Sequence, residues 1–118
     1  MARQRQWIGF DTAQLDALGR SAKSESSTTE RTCPACGNRC VRSYRYFSSR
    51  VTGPTVISYV WCACCHRYAG STGPRPPGLD LDDPLTPDDH RRLDRDLTAM
   101  LGHLDHLWEA GRLPQRPR

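Results

Sequence analysis

Apolar positions are sparse along this chain, and their spacing predicts a few short elements. Trp7, Ile8 and Phe10 stand together near the start, and Leu15 and Leu18 follow three apart. Asp11 suits the N-cap position, so a helix is expected from Thr12 to Arg20, ending near Gly19. The three large apolar residues ahead of it are expected to pack on the rest of the domain, since together they would form an exposed apolar patch. Residues 21–30, SAKSESSTTE, are nearly devoid of apolar groups and read as a linker.

The middle of the chain changes period. VRSYRYF at Val41 to Phe47 and TVISYVW at Thr55 to Trp61 are rich in β-branched and aromatic residues, and SSRVTGP between them supplies turn chemistry. A hairpin is expected, with a shorter third strand near Arg67 to Gly70. From Gly70 to Gly78 three prolines and three glycines exclude helix and predict an extended connector. Thr86, Pro87, Asp88 and Asp89 then give an N-cap, a proline at the first helical position and two acids in the first turn. Leu93, Leu97, Met100, Leu101, Leu104, Leu107 and Trp108 follow, all within about 120° of a helix circumference. Gly111 and Pro114 end that pattern. A helix of about 24 residues is therefore expected, its stripe buried against the strands, the first helix or another chain; the stripe is too short to assign a coiled coil. The units expected are a helix and linker (1–30), a strand-rich unit (31–71), a connector (72–85), the long helix (86–112) and a basic tail (113–118). Together they form one compact α+β unit.

Composition changes this picture in one respect. Leu, Ile, Val and Phe number 19 of 118 residues, about 16%, below the roughly 20% at which a packed core becomes doubtful. A further staple is required, and six cysteines are the candidates. No apolar run approaches a membrane span. The opening residues, MARQRQWIGFDTAQLD, lack the apolar stretch of a secretory signal. The expectation is a cytoplasmic protein, where paired cysteines more often hold metal than each other.

Cys33-Pro-Ala-Cys36 and Cys62-Ala-Cys64-Cys65 place a C-x2-C pair on either side of the predicted hairpin, with 25 residues between them. In such a turn both thiolates face one centre and backbone amides donate to sulfur. Two turns offer four soft ligands for one structural Zn2+, with Gly37 free to take a positive φ. At these residues, CPACG, VRSYRYF, TVISYVW and WCACC, the chain resembles the zinc ribbon family over about residues 31–71. The resemblance implies two zinc knuckles and a small antiparallel sheet, with Cys33, Cys36, Cys62 and Cys65 as ligands. It leaves function open, because zinc ribbons serve transcription factors, ribosomal proteins, enzyme subunits and interaction modules. Cys40 and Cys64 are not required by the pattern. They are either small buried residues, or Cys64 replaces Cys62 or Cys65, or the two form a reversible disulfide. His66 is expected at the surface or behind the ligands, and His90, His103 and His106 as solvated residues of the long helix.

Charge is concentrated. The net charge is +4, yet residues 31–79 hold seven arginines and no Asp or Glu, whereas residues 80–118 hold nine acids and six arginines. Arginines interleaved with Tyr44, Tyr46, Phe47, Tyr59, Trp61 and Tyr68 are the ingredients of nucleic-acid binding, and Arg42, Arg45, Arg50 and Arg67 are the candidate contacts. Alternation puts Arg42, Tyr44 and Tyr46 on one face and Ser43, Arg45 and Phe47 on the other, so basic and apolar faces are not cleanly separated. The same residue types suit an acidic protein partner, as in an adaptor, a regulatory subunit or a toxin-neutralising immunity protein. Alternatively, the arginines balance a doubly negative Zn(Cys)4 centre or pair with the acidic helix. No Ser/His/Asp arrangement, phosphate loop or deaminase signature is present, so neither catalysis nor a small-molecule substrate is expected.

Overall fold

The computed structural model describes residues 6–21, 30–48, 54–78 and 80–117. The expected linker and hairpin loop fall largely outside these residues, as does Arg50. Seven elements follow in chain order: β1 (Ile8–Gly9), α1 (Thr12–Ser21), β2 (Val41–Ser48), β3 (Thr55–Cys62), β4 (Arg67–Pro74), α2 (Pro87–Leu93) and α3 (Leu97–Glu109). They build an α+β fold around one four-stranded sheet of order β1-β4-β3-β2. Strands β2, β3 and β4 are antiparallel, and the two-residue β1 lies parallel to β4.

Period-2 alternation divides the sheet into two faces. Tyr44 on β2 stands opposite Tyr59 on β3, and Trp61 on β3 opposite Tyr68 on β4. Tyr44 and Trp61 are fully buried against Leu85, Leu93, Met100, Leu101, Leu104, Leu107 and Leu113. This is the main core, and it accounts for most of the apolar stripe predicted for the C-terminal region. On the other face Val41, Val60, Cys62 and Ala69 pack with Phe10 and Leu18. There α1 covers only the end of the sheet that carries the cysteines. Its own start is fixed as expected: Asp11 Oδ1 accepts from Gln14 N at 2.8 Å while Gln14 Oε1 accepts from Asp11 N at 2.9 Å.

Two expectations change, and the C-terminal tail finds its place. The single helix over 86–112 is two helices: α2 ends at Leu93, and Asp96 begins α3 by accepting from Ala99 N at 3.1 Å. Aspartate favours caps over helix interiors because its short carboxylate competes for backbone N–H groups. The break also takes Leu97 out of the buried stripe, leaving it 38% exposed. The third strand is longer than expected, since Gly70–Pro74 pairs with β3 as part of β4 instead of running as a connector. Pro74 is tolerated because β1 pairs only with Arg67 and Tyr68, so β4 is an open edge at this point. Finally, the basic tail is docked. Leu113 and Gln115 are buried, and the Gln115 amide accepts from Arg45 N at 2.8 Å and donates to Arg45 O at 2.8 Å. A side chain thus satisfies the open edge of β2, which would otherwise present unpaired backbone groups.

Candidate metal centre

Two turns of the same geometry build the cysteine site. In the first, Gly37 N donates to Cys33 O at 2.9 Å, and in the second His66 N donates to Cys62 O at 3.0 Å. The residue after each turn is left-handed, Gly37 at φ 77° and His66 at φ 59°. Glycine adopts this without cost, whereas histidine there is strained. His66 is held in place by a parallel stack on Trp7, with ring centroids 4.3 Å apart, and by its carbonyl, which accepts from Ile8 N at 3.0 Å. Strands β3 and β4 carry the second turn. The first is held to the sheet by the reciprocal backbone pair of Arg31 and Val41, and is closed on itself by Cys33 N donating to Asn38 O at 2.8 Å.

The Sγ atoms of Cys33, Cys36, Cys62 and Cys65 lie within 4.8 Å of one another. Cys33 to Cys65 and Cys36 to Cys62 are each 3.7 Å apart. A tetrahedral ion with sulfur at about 2.3 Å requires edges of roughly 3.8 Å, so the cluster fits a tetrathiolate site. Cys33 and Cys62 are sealed from solvent while Cys36 and Cys65 are half-buried. Hydrogen bonds are directed at sulfur, from Ala35 N to Cys33 at 3.4 Å and from Cys65 N to Cys62 at 3.5 Å.

Electrostatics within the cluster also suit a cation. Burial raises the Cys62 thiol to about 12, against opposing hydrogen bonds from the backbone of Cys65 and Cys64. Burial raises Cys65 as well. Burial also works against the Cys36 thiolate, but hydrogen bonds from the Asn38 backbone and from the Cys62, Cys33 and Cys65 side chains outweigh it and bring Cys36 down to about 7. Neighbouring thiols can stabilise one thiolate, but four together repel. A divalent cation removes that repulsion and holds all four ionised.

Comparison of the chain with protein-family models, curated proteins and solved structures found no match. The four predicted ligand cysteines are brought together. The two spare cysteines are not separate small buried residues, and Cys64 does not replace a neighbour: Cys40 and Cys64 form a disulfide.

The candidate arginines fare differently. Arg42 is not an open contact, because it is only 7% exposed. Its guanidinium reaches Glu30 at 3.2 Å, Asp105 at 2.7 Å and Glu109 at 2.6 Å, and it lies 5.6 Å from the Trp108 ring centroid. Burial lowers its pKa, but the hydrogen bonds it donates to Glu109 and Asp105 and the charges of Asp105 and Glu30 raise it overall. Arg45 is exposed on the sheet face away from α2 and α3, and Arg67, half-buried, begins β4 beside β1. Arg75, outside the candidate set, lies with its guanidinium 4.3 Å from the Phe47 ring centroid.

A second polar cluster lies on the helix side. His90 is buried, not solvated. Its Nε2 is 3.0 Å from Asp83 Oδ2, and the Tyr44 hydroxyl donates to Asp83 Oδ1 at 2.8 Å. Tyr46 stacks on the imidazole with centroids 3.9 Å apart. An open cleft of about 630 Å³ beside it is lined in part by Tyr46, Leu85, Pro87 and Arg95. Asp83 fell in the expected connector, and no local pattern links it to a histidine seven residues on. Among the described residues, no helix is long and apolar enough to cross a membrane.

Proposed function

We propose that this protein is a noncatalytic zinc-ribbon binding module, held by one structural Zn2+ on Cys33, Cys36, Cys62 and Cys65, that contacts nucleic acid with the sheet face turned away from α2 and α3. The observation that carries this reading is the composition of that face beyond the cover of α1. Arg45, Ser58 and Ser71 stand opposite one another across β2, β3 and β4, and the next row is Phe47, Val56 and Gly73. The three strands contain no Asp or Glu. Arginine beside the Phe47 ring among small residues suits phosphates together with a stacked base, whereas Tyr44, Tyr46, Tyr59, Trp61 and Tyr68 belong to the core on the other face.

With Arg42 committed to the acidic helix, Arg45 is the principal candidate contact, with Arg75 over Phe47 though paired with Asp80 at 3.6 Å, and Arg67 farther off at the start of β4. Arg45 has no ion pair among the described residues. Zinc is favoured over harder ions by four thiolates in a closed tetrahedron, and four protein ligands leave such an ion no open position for water, which argues against metal-based catalysis. Fluorescence anisotropy of the metal-loaded protein with single- and double-stranded DNA and RNA, at low and physiological salt, tests the reading. The expected result is micromolar binding that weakens steeply with salt and is lost in Arg45→Glu. Absence of binding at low salt would overturn it and favour an acidic protein partner for the same face.

A further inference from the structure

Cys40 and Cys64 stand outside the four-sulfur cluster and are bonded to each other, with Cα atoms 6.0 Å apart and a sequence separation of 24. Their bond spans the same gap as the metal site. Cys40 leads from the first cysteine turn into β2, and Cys64 lies within the second turn, between Cys62 and Cys65. The backbone is also drawn together here, because Ala63 N donates to Cys40 O at 3.0 Å. All six cysteines belong to one packed cluster with Phe10, Leu18 and Val41. The two turns are therefore joined by two devices of different chemistry, thiolate coordination and an S–S bond. Cys40 and Cys64 are half-buried, not sealed, so a small reagent has a route to them.

We propose that Cys40–Cys64 is a thiol–disulfide exchange site, opened by low-molecular-weight dithiols and closed by low-molecular-weight disulfides, and that it serves as a second staple keeping the two turns together when the metal is absent. The proposal rests on reading the four remaining cysteines as a metal site, and is independent of what the sheet face binds. In opening, one thiolate of the dithiol attacks a sulfur of the Cys40–Cys64 bond, forming a mixed disulfide and releasing the other cysteine as a thiolate. The second thiol of the reagent then displaces the first cysteine. Two electrons and two protons pass to the protein, Cys40 and Cys64 become thiols, and the reagent leaves as its cyclic disulfide. Closing runs in the opposite direction, with a small disulfide accepting the two electrons. In the metal-loaded protein the ion would engage the thiolates of Cys33, Cys36, Cys62 and Cys65, which would confine the exchange to the other pair.

Two staples on one pair of loops make the fold depend on their combination. The ribbon holds with the metal alone or with the disulfide alone, and is lost only when both are removed. The test uses the full chain in four states, with metal or a chelator and with or without a dithiol, reading amide dispersion by NMR and counting alkylated cysteines by mass under denaturing conditions. Oxidised wild type is expected to take four alkyl groups and reduced wild type six. Metal-free oxidised protein is expected to keep its dispersion, and metal-free reduced protein to lose it. The double variant Cys40→Ser, Cys64→Ser is expected to lose dispersion on chelation with or without dithiol, while its metal-loaded form stays folded. Six alkyl groups even after treatment with a small disulfide, or equal collapse of oxidised and reduced protein on chelation, would overturn the proposal. A wild type that takes up no metal in either redox state would sink the metal reading instead, and there the dispersion of oxidised against reduced protein still decides whether the disulfide is a staple.

Discussion

Arg42 and Asp105 meet at 2.7 Å across 63 residues of chain, and their contact ties the sheet to α3. Asp105 Oδ1 also accepts from Trp61 Nε1 at 2.9 Å, so one carboxylate satisfies two buried donors. The fully buried indole and the nearly buried guanidinium would otherwise each leave polar hydrogens without partners. The acidic C-terminal region thus neutralises part of the basic centre within the same molecule.

Arg42→Ala should therefore act on stability. Removing one member of a buried ion pair is strongly destabilising, but Glu109 is largely exposed and its share is screened. A loss of about 2–3 kcal/mol is expected from urea unfolding. Arg45→Ala, on an exposed side chain, should change stability by less than about 0.5 kcal/mol while weakening nucleic-acid binding. Equal stability losses in the two variants would contradict the burial of Arg42.

Metal uptake should release protons. With Cys62 at about 12 and Cys65 also raised above the ordinary 9.0, both carry protons at neutral pH and must lose them on coordination. Loading at pH 7 is expected to release at least two protons per ion, read from the buffer dependence of calorimetric heats, and affinity should fall as the solution is acidified. Cys33→Ser, which removes a sealed ligand, should abolish stoichiometric binding. In dithiol it should also lose amide dispersion. Proton-neutral uptake would mean that the four thiols are not the ligands.

Tyr44 makes the fold sensitive to alkali. Burial, and then the negative charge of Asp83, raise its phenol well above the ordinary 10.0. A group whose pKa is raised on folding contributes stability that is complete below its unfolded value and declines as pH rises above it. The Tyr44 contribution should therefore be level through neutral pH and decline above about pH 10. Tyr44→Phe is expected to cost about 1–2 kcal/mol at pH 7, because Asp83 and His90 lose a hydrogen-bond partner. Its alkaline decline should be shallower, leaving the contributions of Tyr59, also raised by burial, and of the raised Cys62 and Cys65 thiols. An unchanged alkaline slope would exclude Tyr44 as its source.

The cysteine turns and the first two long strands are legible in the sequence because their signals are local. Two residues between cysteines set the turn, and β-branched and aromatic runs set the strands. The break at Asp94–Asp96 is hidden, since Leu97 keeps the helical phase of the apolar stripe and only the capping preference of Asp96 opposes it. Gly70–Pro74 reads as connector because glycine and proline disfavour strands, and pairing with β3 overrides that preference. The roles of Arg42, His90 and Gln115 depend on partners up to 70 residues away or inside an apparent connector. Alternation assigned Arg42 to the face of Tyr44 and Tyr46, but did not reveal that the acidic helix would cover that face.

His66 and Trp7 offer a test of how the N-terminal strand is fastened. Left-handed backbone at a non-glycine residue costs roughly 1–2 kcal/mol, while a parallel aromatic stack contributes about 0.5–1.5 kcal/mol. The two terms oppose each other in His66→Gly, whose stability should stay within about 1 kcal/mol of wild type with metal binding intact. His66→Val loses the stack and meets a larger steric cost at the same φ, so it should be clearly less stable. Trp7→Ala should loosen β1 alone. The amides of Ile8 and Phe10, which donate to His66 O and Tyr68 O, should exchange faster with deuterium, while those pairing β2 with β3 keep their protection. A double-mutant cycle between Trp7→Ala and His66→Gly isolates the stack. Coupling of about 0.5–1.5 kcal/mol is expected, and additivity of the two changes would show that the rings touch without stabilising the fold.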